Sequence, residues 1–399
     1  MKIVQINSTC GVGSTGKICL AVSELLSKEN IENHILYSYL DNGARPNAER
    51  LSSYTYVKLQ ALKAKVLGNN GFNSRGATKK MIAKLEEISP DVIHLHNIHS
   101  HDCDLKLLFG YLKGKNIKIF WTFHDCWAFT AYCHYFTMSQ CDRWQTGCKG
   151  CPNIKRYSWT FDRSRYLYEL KRELFSSELD ITVITPSEWL AGLVKKSFFG
   201  RYPVKVINNG IDLSLFKPSG VERDREVRAR LGCEGKYLVM GCSFDWDSRK
   251  GLDVFKELSE RLGDDFRILL VGTNENIDKA LPKNIISVHR TKDQAELAEL
   301  YSASDLFVNP TREENYPTVN MEAVACGTPV LTFNTGGSIE MLDSSVGAWV
   351  DTGDIDRLER EIRRIKEDKP FSAETCVSHA KNFDMNERFR EYIELYKNI

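Results

Sequence analysis

No stretch of the chain approaches the roughly 18 consecutive apolar residues that a membrane-spanning helix needs, so no helical span is expected. Short internal repeats and low-complexity tracts are absent too, which sets solenoids and compositional linkers aside. The apolar stretch Met1 to Ile6 is too short for a secretory leader and reads as a first strand, so a cytoplasmic location is the expectation. Net charge is scarce: 54 Lys+Arg against 53 Asp+Glu leave +1. That balance hides an asymmetry. Residues 1–205 carry 28 basic and 18 acidic side chains, a surplus of 10, and the remainder carries 26 and 35, a deficit of 9. A basic half suggests an anionic partner such as a membrane surface, lipid phosphate or nucleic acid; the plainer alternative is ordinary surface variation.

What is present is a soluble-type composition, 42% apolar and 27% charged, over 399 residues, too many for one ordinary core. Apolar strand-like runs alternate with helical periodicity. The first half offers strands at Lys2–Ser8, His34–Tyr39, Asp91–Asn97, Lys118–His124, Ile181–Pro186 and Val204–Asn208, with helices at Gly16–Glu29, Ala77–Ile88 and Ser187–Phe198. The second half repeats the scheme at Tyr237–Cys242, Arg267–Gly272, Ile285–His289, Asp305–Asn309, Pro329–Phe333 and Ala348–Val350, with helices such as Leu252–Leu262 and Gln294–Ser302. Two series of this kind predict two doubly wound α/β sheets joined near the turn-rich Asn208–Asp212.

Several motifs carry chemistry. Gly11-Val-Gly-Ser-Thr-Gly-Lys17 has the spacing of a phosphate-binding loop, but Ile18 stands where a magnesium-binding hydroxyl is required and no Walker-B partner is evident. A glycine turn that lets a ligand approach the backbone, through Gly13, fits better; a structural turn is the alternative. Asp245-Trp-Asp247 resembles a metal-binding acidic pair, yet Ser248-Arg-Lys-Gly251 follows, and Arg249 and Lys250 suit a diphosphate better. His94, His96, His99, His101 and His124 fall at or past strand ends. Of these, His94 is best read as packed and hydrogen-bonded, and His124, ending the apolar run Ile117–Phe123, as the candidate site residue. Cys133, Cys141, Cys148 and Cys151 supply four thiols within nineteen residues. The final Cys-x-x-Cys is a zinc half-site, so a structural zinc is expected there, with free or disulfide-bonded thiols as alternatives.

The most informative pair is Glu314 and Glu322, with seven residues between them. The apolar Asp305–Asn309 precedes them, Pro317 opens a short helix and Gly327 closes it. The first carboxylate therefore sits on the loop leaving a parallel strand and the second on the following helix. Ligands of open α/β sheets bind in that crevice. A helix N-terminus suits a diphosphate, and two carboxylates accept from sugar hydroxyls, so the pattern suggests a nucleotide-sugar.

With these residues in view, the chain resembles the retaining glycosyltransferases of family 4, over nearly its whole length. Glu314 through Glu322 matches the family's Glu-x7-Glu element, Asn334-Thr-Gly-Gly337 its glycine-rich turn, Asn209-Gly-Ile-Asp212 its interdomain segment and Lys250-Gly251 its phosphate-binding Lys-Gly. The cysteine insert with Thr122–Trp127 resembles a subgroup from bacterial polysaccharide gene clusters. The family's Gly-Arg-Leu reads Gly241-Cys-Ser-Phe244 here, which leaves the arginine partner of Lys250 open, with Arg249 as the candidate replacement.

The resemblance implies a GT-B fold, two Rossmann-like domains facing a cleft. An acceptor-binding domain would span 1–205 with a Cys-rich insert at 126–160. A nucleotide-sugar domain would span 206–382, and a C-terminal helix at 383–399 would pack back on the first. It implies that Glu322 holds the ribose, Glu314 the sugar or its near phosphate, and that Lys250 with backbone N–H groups around Asn315, Tyr316, Gly336 and Gly337 binds the diphosphate. His124 and Glu314 would be the catalytic pair, and no metal would be needed for chemistry. The implied reaction moves a hexose from a UDP-sugar, with GDP-mannose as the alternative, to a glycan or polyprenyl-diphosphate-linked acceptor for capsule, exopolysaccharide or O-antigen. Lys58, Lys63, Lys65, Arg75, Lys79, Lys80 and Lys84, with Leu59, Leu62, Val66 and Leu67, suggest peripheral docking on the inner face of the plasma membrane. No nucleic-acid partner is expected. The alternatives are a nucleotide-sugar epimerase on the same scaffold and a non-catalytic nucleotide-sugar-binding protein.

Overall fold

The structure is a computed structural model that describes residues 1–43, 45–99, 101–176 and 179–399. The chain divides into two compact units, Met1–Asn208 with Arg388–Ile399, and Asn209–Glu387. The first boundary lies three residues beyond the one read from the sequence. The C-terminal helix is Met385–Lys397, and its residues from Arg388 onward belong to the first unit.

The first unit contains β1 (Lys2–Cys10), β2 (Glu32–Asp41), β3 (Ala48–Arg50), β4 (Val92–Leu95), β5 (Lys118–Thr122), β6 (Ile181–Thr185) and β7 (Val204–Val206) in one sheet of order β3-β2-β1-β4-β5-β6-β7. The second contains β8 (Tyr237–Cys242), β9 (Phe266–Val271), β10 (Ile285–Val288), β11 (Leu306–Asn309), β12 (Val330–Asn334) and β13 (Gly347–Asp351), ordered β10-β9-β8-β11-β12-β13. Every pairing in both sheets is parallel. In each the order reverses once, between β1 and β4 and between β8 and β11. Loops leaving those neighbours diverge and open a crevice at the carboxyl ends of the strands.

Helices cover both faces of such a sheet, so its strands must be apolar on both sides. All four residues of β4 and all five of β6 are buried. In the second unit, Leu238 and Met240 pack on one face with Met321 and Val324 of the helix Thr318–Ala325. Val239 packs on the other face with Val254, Phe255 and Leu258 of the helix Leu252–Arg261, as the two-residue repeat of a strand dictates. Burying each such side chain stabilises by about 1.5–3 kcal/mol. Among the described residues no helix is long and apolar enough to cross a membrane.

The C-terminal helix is tied to the first unit by polar contacts. Tyr396 Oη lies 2.5 Å from His94 Nδ1, Thr122 Oγ1 donates to Tyr392 Oη at 3.5 Å, and Lys397 pairs with Glu29 at 2.6 Å.

Candidate functional site

In the second unit the loops leaving β8 and β11 meet. Lys250 Nζ pairs with Glu314 Oε2 at 2.5 Å, and both side chains are mostly buried. The two loops are also laced through their backbones. Arg312 N–H donates to the Arg249 carbonyl at 2.8 Å, and within the first loop the Lys250 N–H donates to the Asp247 side-chain Oδ1 at 2.9 Å. Asp247 thus caps a turn, a structural use for the acidic pair at 245–247. The Arg312 guanidinium makes a bidentate pair with Asp253 at 2.8 and 2.7 Å, which fixes the 311–316 loop to the helix Leu252–Arg261. Arg249 is half-buried. Its guanidinium reaches the Glu313 carbonyl at 3.5 Å and Asp247 Oδ2 at 3.9 Å, so it borders the same loop.

Two glycines let the backbones approach. A Cβ on Gly251, whose φ is +78°, would lie 2.5 Å from the Pro310 carbonyl oxygen. One on Gly336, at φ +57°, would lie 1.7 Å from the Glu314 carbonyl oxygen. The turn holding Gly336 and the buried Gly337 therefore rests on the Glu314 backbone. Asparagines complete the scaffold. Asn309 Nδ2 donates to Asn320 Oδ1 at 2.8 Å, and Asn320 Nδ2 donates to the Ser338 carbonyl at 3.2 Å, joining β11, the helix Thr318–Ala325 and the glycine turn.

Asn315 and Tyr316 are buried between the ion pair and that helix, and Asn315 N–H donates to Glu314 Oε1 at 3.2 Å. Pro317 is the N-cap and the helix begins at Thr318. Glu322, one turn on, is half-buried and accepts from Tyr301 Oη at 3.2 Å. Burial, with the Glu322 charge adding to it, pushes the neighbouring Cys242 thiol up to about 12. The structure thus brings Arg249, Lys250, Glu314, Asn315, Tyr316 and Gly336 together at the β8/β11 reversal, with Glu322 on the adjoining helix. Gly13 and His124 belong to the first unit. Gly13 opens the helix Gly13–Lys28 at φ +68° with open space on its Cβ side.

The histidines of the first unit form a chain. His94 Nε2 is 2.8 Å from Thr122 Oγ1, so His94 is packed and hydrogen-bonded at both ring nitrogens. His96 sits 3.2 Å from Gln5 Oε1 and 3.3 Å from His124 Nε2. Burial pushes His94 down to about 3 and His96 well below the usual imidazole range. It also pushes His124 down to about 4, against the pull of the Asp125 charge. These rings are neutral at pH 7. Asp125 is the exception nearby: although burial raises it, His99 and His134 hold its carboxyl well below the usual range.

All twelve cysteines are free. Cys133 and Cys151 share a hydrogen bond that pushes the Cys133 thiol up and brings Cys151 down to about 7. Cys148 is pushed up to about 11 by burial. Yet among the described residues no three of the four clustered sulfurs lie within 4.8 Å of one another. Charge interactions also link Cys148 to Cys141 and Cys151, and Cys133 to Cys148 and Cys151, so all four thiols gather in one region of the loop.

Sequence reasoning missed Tyr301, the Asn309–Asn320–Ser338 ladder and the joint use of His99, Asp125 and His134. The last was signalled only by a histidine inside the cysteine run.

Comparison with known proteins places both units. The family model "Glycosyltransferase Family 4" matches residues 16–215, and "Glycosyl transferases group 1" matches residues 226–387. The Escherichia coli (strain K12) protein named "Putative colanic acid biosynthesis glycosyl transferase WcaC" is 24% identical over 427 aligned positions, covering all of both chains. A Campylobacter jejuni N,N'-diacetylbacillosaminyl-diphospho-undecaprenol alpha-1,3-N-acetylgalactosaminyltransferase is 26% identical over 200 residues, 48% of this chain and 53% of its own. Among solved structures, Anabaena Alr3699/HepE in complex with UDP superposes over the whole of both chains with a TM-score of 0.69 at 16% identity, which shows the GT-B fold.

Proposed function

We propose that this chain, which belongs to glycosyltransferase family 4, transfers a hexose with retention from a nucleoside-diphosphate sugar to a lipid-linked glycan during assembly of a cell-surface polysaccharide. The observation that carries the reading is the Lys250–Glu314 pair at the β8/β11 reversal, beside the first turn of the helix Thr318–Ala325. An ammonium and a helix N-terminus favour a diphosphate, and Glu322 beyond them suits a ribose diol. A UDP-sugar is the favoured donor, because the solved neighbour was obtained with UDP.

In the reaction the bond from the anomeric carbon to the diphosphate oxygen breaks, and its electron pair leaves with the diphosphate. Charge grows on that oxygen, so Lys250 and the helix N-terminus act where they count most. The second unit presents no group we would assign as a nucleophile. The acceptor hydroxyl therefore attacks from the face the diphosphate leaves, its oxygen bonding to the anomeric carbon and its proton passing to the departing phosphate. The first unit is assigned to the acceptor, with His124 contributing to turnover as a neutral imidazole.

The acceptor is assigned as a polyprenyl-diphosphate-linked sugar, in keeping with the Campylobacter relative. The basic surface supports membrane docking, with a revision. What the sequence offered as one amphipathic region is two helices, Tyr54–Leu67 and Arg75–Ile88. Lys84 of the second is occupied by Glu49 and Glu87. On the first, Leu59 and Leu62 are about half exposed, and Trp159 and Phe161 are exposed beside it, where Trp159 N–H donates to the Lys65 carbonyl at 2.8 Å. Exposed aromatic and aliphatic groups among Lys58, Lys63 and Lys65 suit an anionic leaflet.

The test is incubation with radiolabelled UDP-, GDP- and ADP-sugars and a polyprenyl-diphosphate sugar in mixed micelles. Release of free nucleotide with a labelled lipid, whose new linkage keeps the donor's anomeric configuration by NMR, is expected. An isomerised donor without labelled lipid would establish the epimerase. Thermal stabilisation by a nucleotide-sugar without turnover would establish a binding protein.

A further inference from the structure

We propose that His99, Asp125 and His134 form a binding site for a first-row divalent cation, zinc foremost, open on one side to oxygen ligands. The inference stands independently of the glycosyltransferase reading. His99 Nε2 and His134 Nδ1 lie 3.1 and 3.0 Å from the same carboxylate atom, Asp125 Oδ2, and the three ligand atoms all fall within 4.8 Å of one another. They are the one such group among the described residues.

A plain His–Asp–His relay would aim an N–H from each ring at the carboxylate. His134 Nδ1 meets hydrogen-bond geometry toward the carboxylate, whereas the His99 Nε2, itself buried, approaches to 3.1 Å outside that geometry. Two ring nitrogens thus converge on one carboxylate oxygen, as ligand atoms around an ion would. Two imidazoles and one carboxylate are a donor set that first-row divalent ions take, with remaining positions for water or substrate oxygen.

The surroundings hold the ligands in place. Asp125 Oδ1 accepts from Trp127 N–H at 2.8 Å, which orients Oδ2 toward the rings. Cys126 N–H donates to the His134 carbonyl at 2.9 Å, fixing the two ligand segments together. The His99 ring packs on Trp127 at 5.2 Å, and Lys171 pins that loop by donating to the Trp127 and Thr130 carbonyls at 2.8 and 3.0 Å.

The open side is a pocket of about 320 Å³, lined by His99 and His134 together with His101, Lys58, Tyr39 and Tyr54. His101 stands in the left-handed region at φ +62°, rare for a non-glycine residue, and its buried Nδ1 has no hydrogen-bond partner. A phenol-lined pocket with an ammonium at its rim would bring an oxygen-rich ligand to the ion.

The experiment titrates Co²⁺ into the metal-stripped full chain. We expect one ion per chain with weak visible bands and no intense thiolate charge-transfer band, retained in a Cys148→Ser, Cys151→Ser variant and displaced by Zn²⁺. His99→Ala and His134→Ala should each weaken binding more than about 100-fold, beyond what loss of a supporting group costs. His134 is 37% exposed, so its removal leaves the core intact and carries the test alone if His99→Ala fails by circular dichroism. Binding lost only in the cysteine variant, binding unchanged in the histidine variants, or no binding by wild type at millimolar Co²⁺ would each overturn the site.

Discussion

The loops leaving β8 and β11 bring an ammonium and a carboxylate to 2.5 Å, both mostly buried. Those leaving β4 and β5 bring together imidazoles that burial keeps neutral. Both corners lie at or beside the order reversal of a parallel sheet, and the same scaffold holds them. The difference lies in which residues each loop delivers. A charged corner can neutralise a leaving diphosphate, whereas neutral rings can hold hydroxyls or a cation without repelling it. One topology therefore serves two chemistries, and position in the sheet does not identify the ligand.

Removing a carboxylate from the charged corner should have the largest effect. Glu314→Ala and Glu322→Gln are each expected to lower kcat by about 10²–10³, or about 3–4 kcal/mol in the barrier, with the fold retained. Near wild-type turnover in either would remove that carboxylate from the reaction.

The next variants set the two corners against each other. Lys250→Ala should weaken nucleoside diphosphate binding by about 1.5–3 kcal/mol, the worth of a hydrogen bond to a charged group, and calorimetry reads it directly. His124→Ala should leave that affinity in place and reduce turnover. A His124 variant that lost only nucleotide affinity would erase the contrast.

Acid should then discriminate between the units. His94 titrates at about 3 when folded, and an exposed imidazole near 6.5. Between those values the unfolded chain binds the extra proton, so stability rises with pH there. The contribution is complete above about 6.5 and drains away toward about 3, at up to about 1.4 kcal/mol per pH unit for each ring kept neutral. Urea midpoints reporting the first unit should fall from pH 7.5 to 5, and His94→Gln should flatten the slope. A pH-independent midpoint would contradict the buried neutral histidines.

The smallest effect concerns the surface of the helix Tyr54–Leu67. Each Lys near an anionic leaflet contributes about 1 kcal/mol, screened over a Debye length of about 8–10 Å. Sedimentation with anionic vesicles should be salt-sensitive and weakened in Lys63→Glu. Equal binding to neutral vesicles would remove the electrostatic part.

Much of the architecture is readable because strands buried on both faces are continuous apolar runs, such as Tyr237–Cys242. The strand Ala48–Arg50 escaped notice because an edge strand reading Ala-Glu-Arg has no apolar signal. Strand ends were read too long at His124, Pro186 and Asn208, where the next residues no longer pair. Glu314 and Glu322 announce themselves by spacing around a strand–helix junction. What no spacing reveals is partnership across distance. Lys250 meets Glu314 over 64 residues, Tyr301 meets Glu322 over 21, and which cysteine sulfurs converge depends on the path of a loop.

The C-terminal helix has a bearing on biogenesis. Tyr396 closes over a histidine that precedes it by 302 residues. During synthesis the second unit, Asn209–Glu387, is an uninterrupted segment that can fold as it emerges. The first unit must wait, its histidine corner unsealed, until the helix Met385–Lys397 has left the ribosome. Of the two units, the one that starts earlier along the chain is completed later, and a chain stalled shortly before Tyr392 would present an open apolar seam to chaperones and proteases.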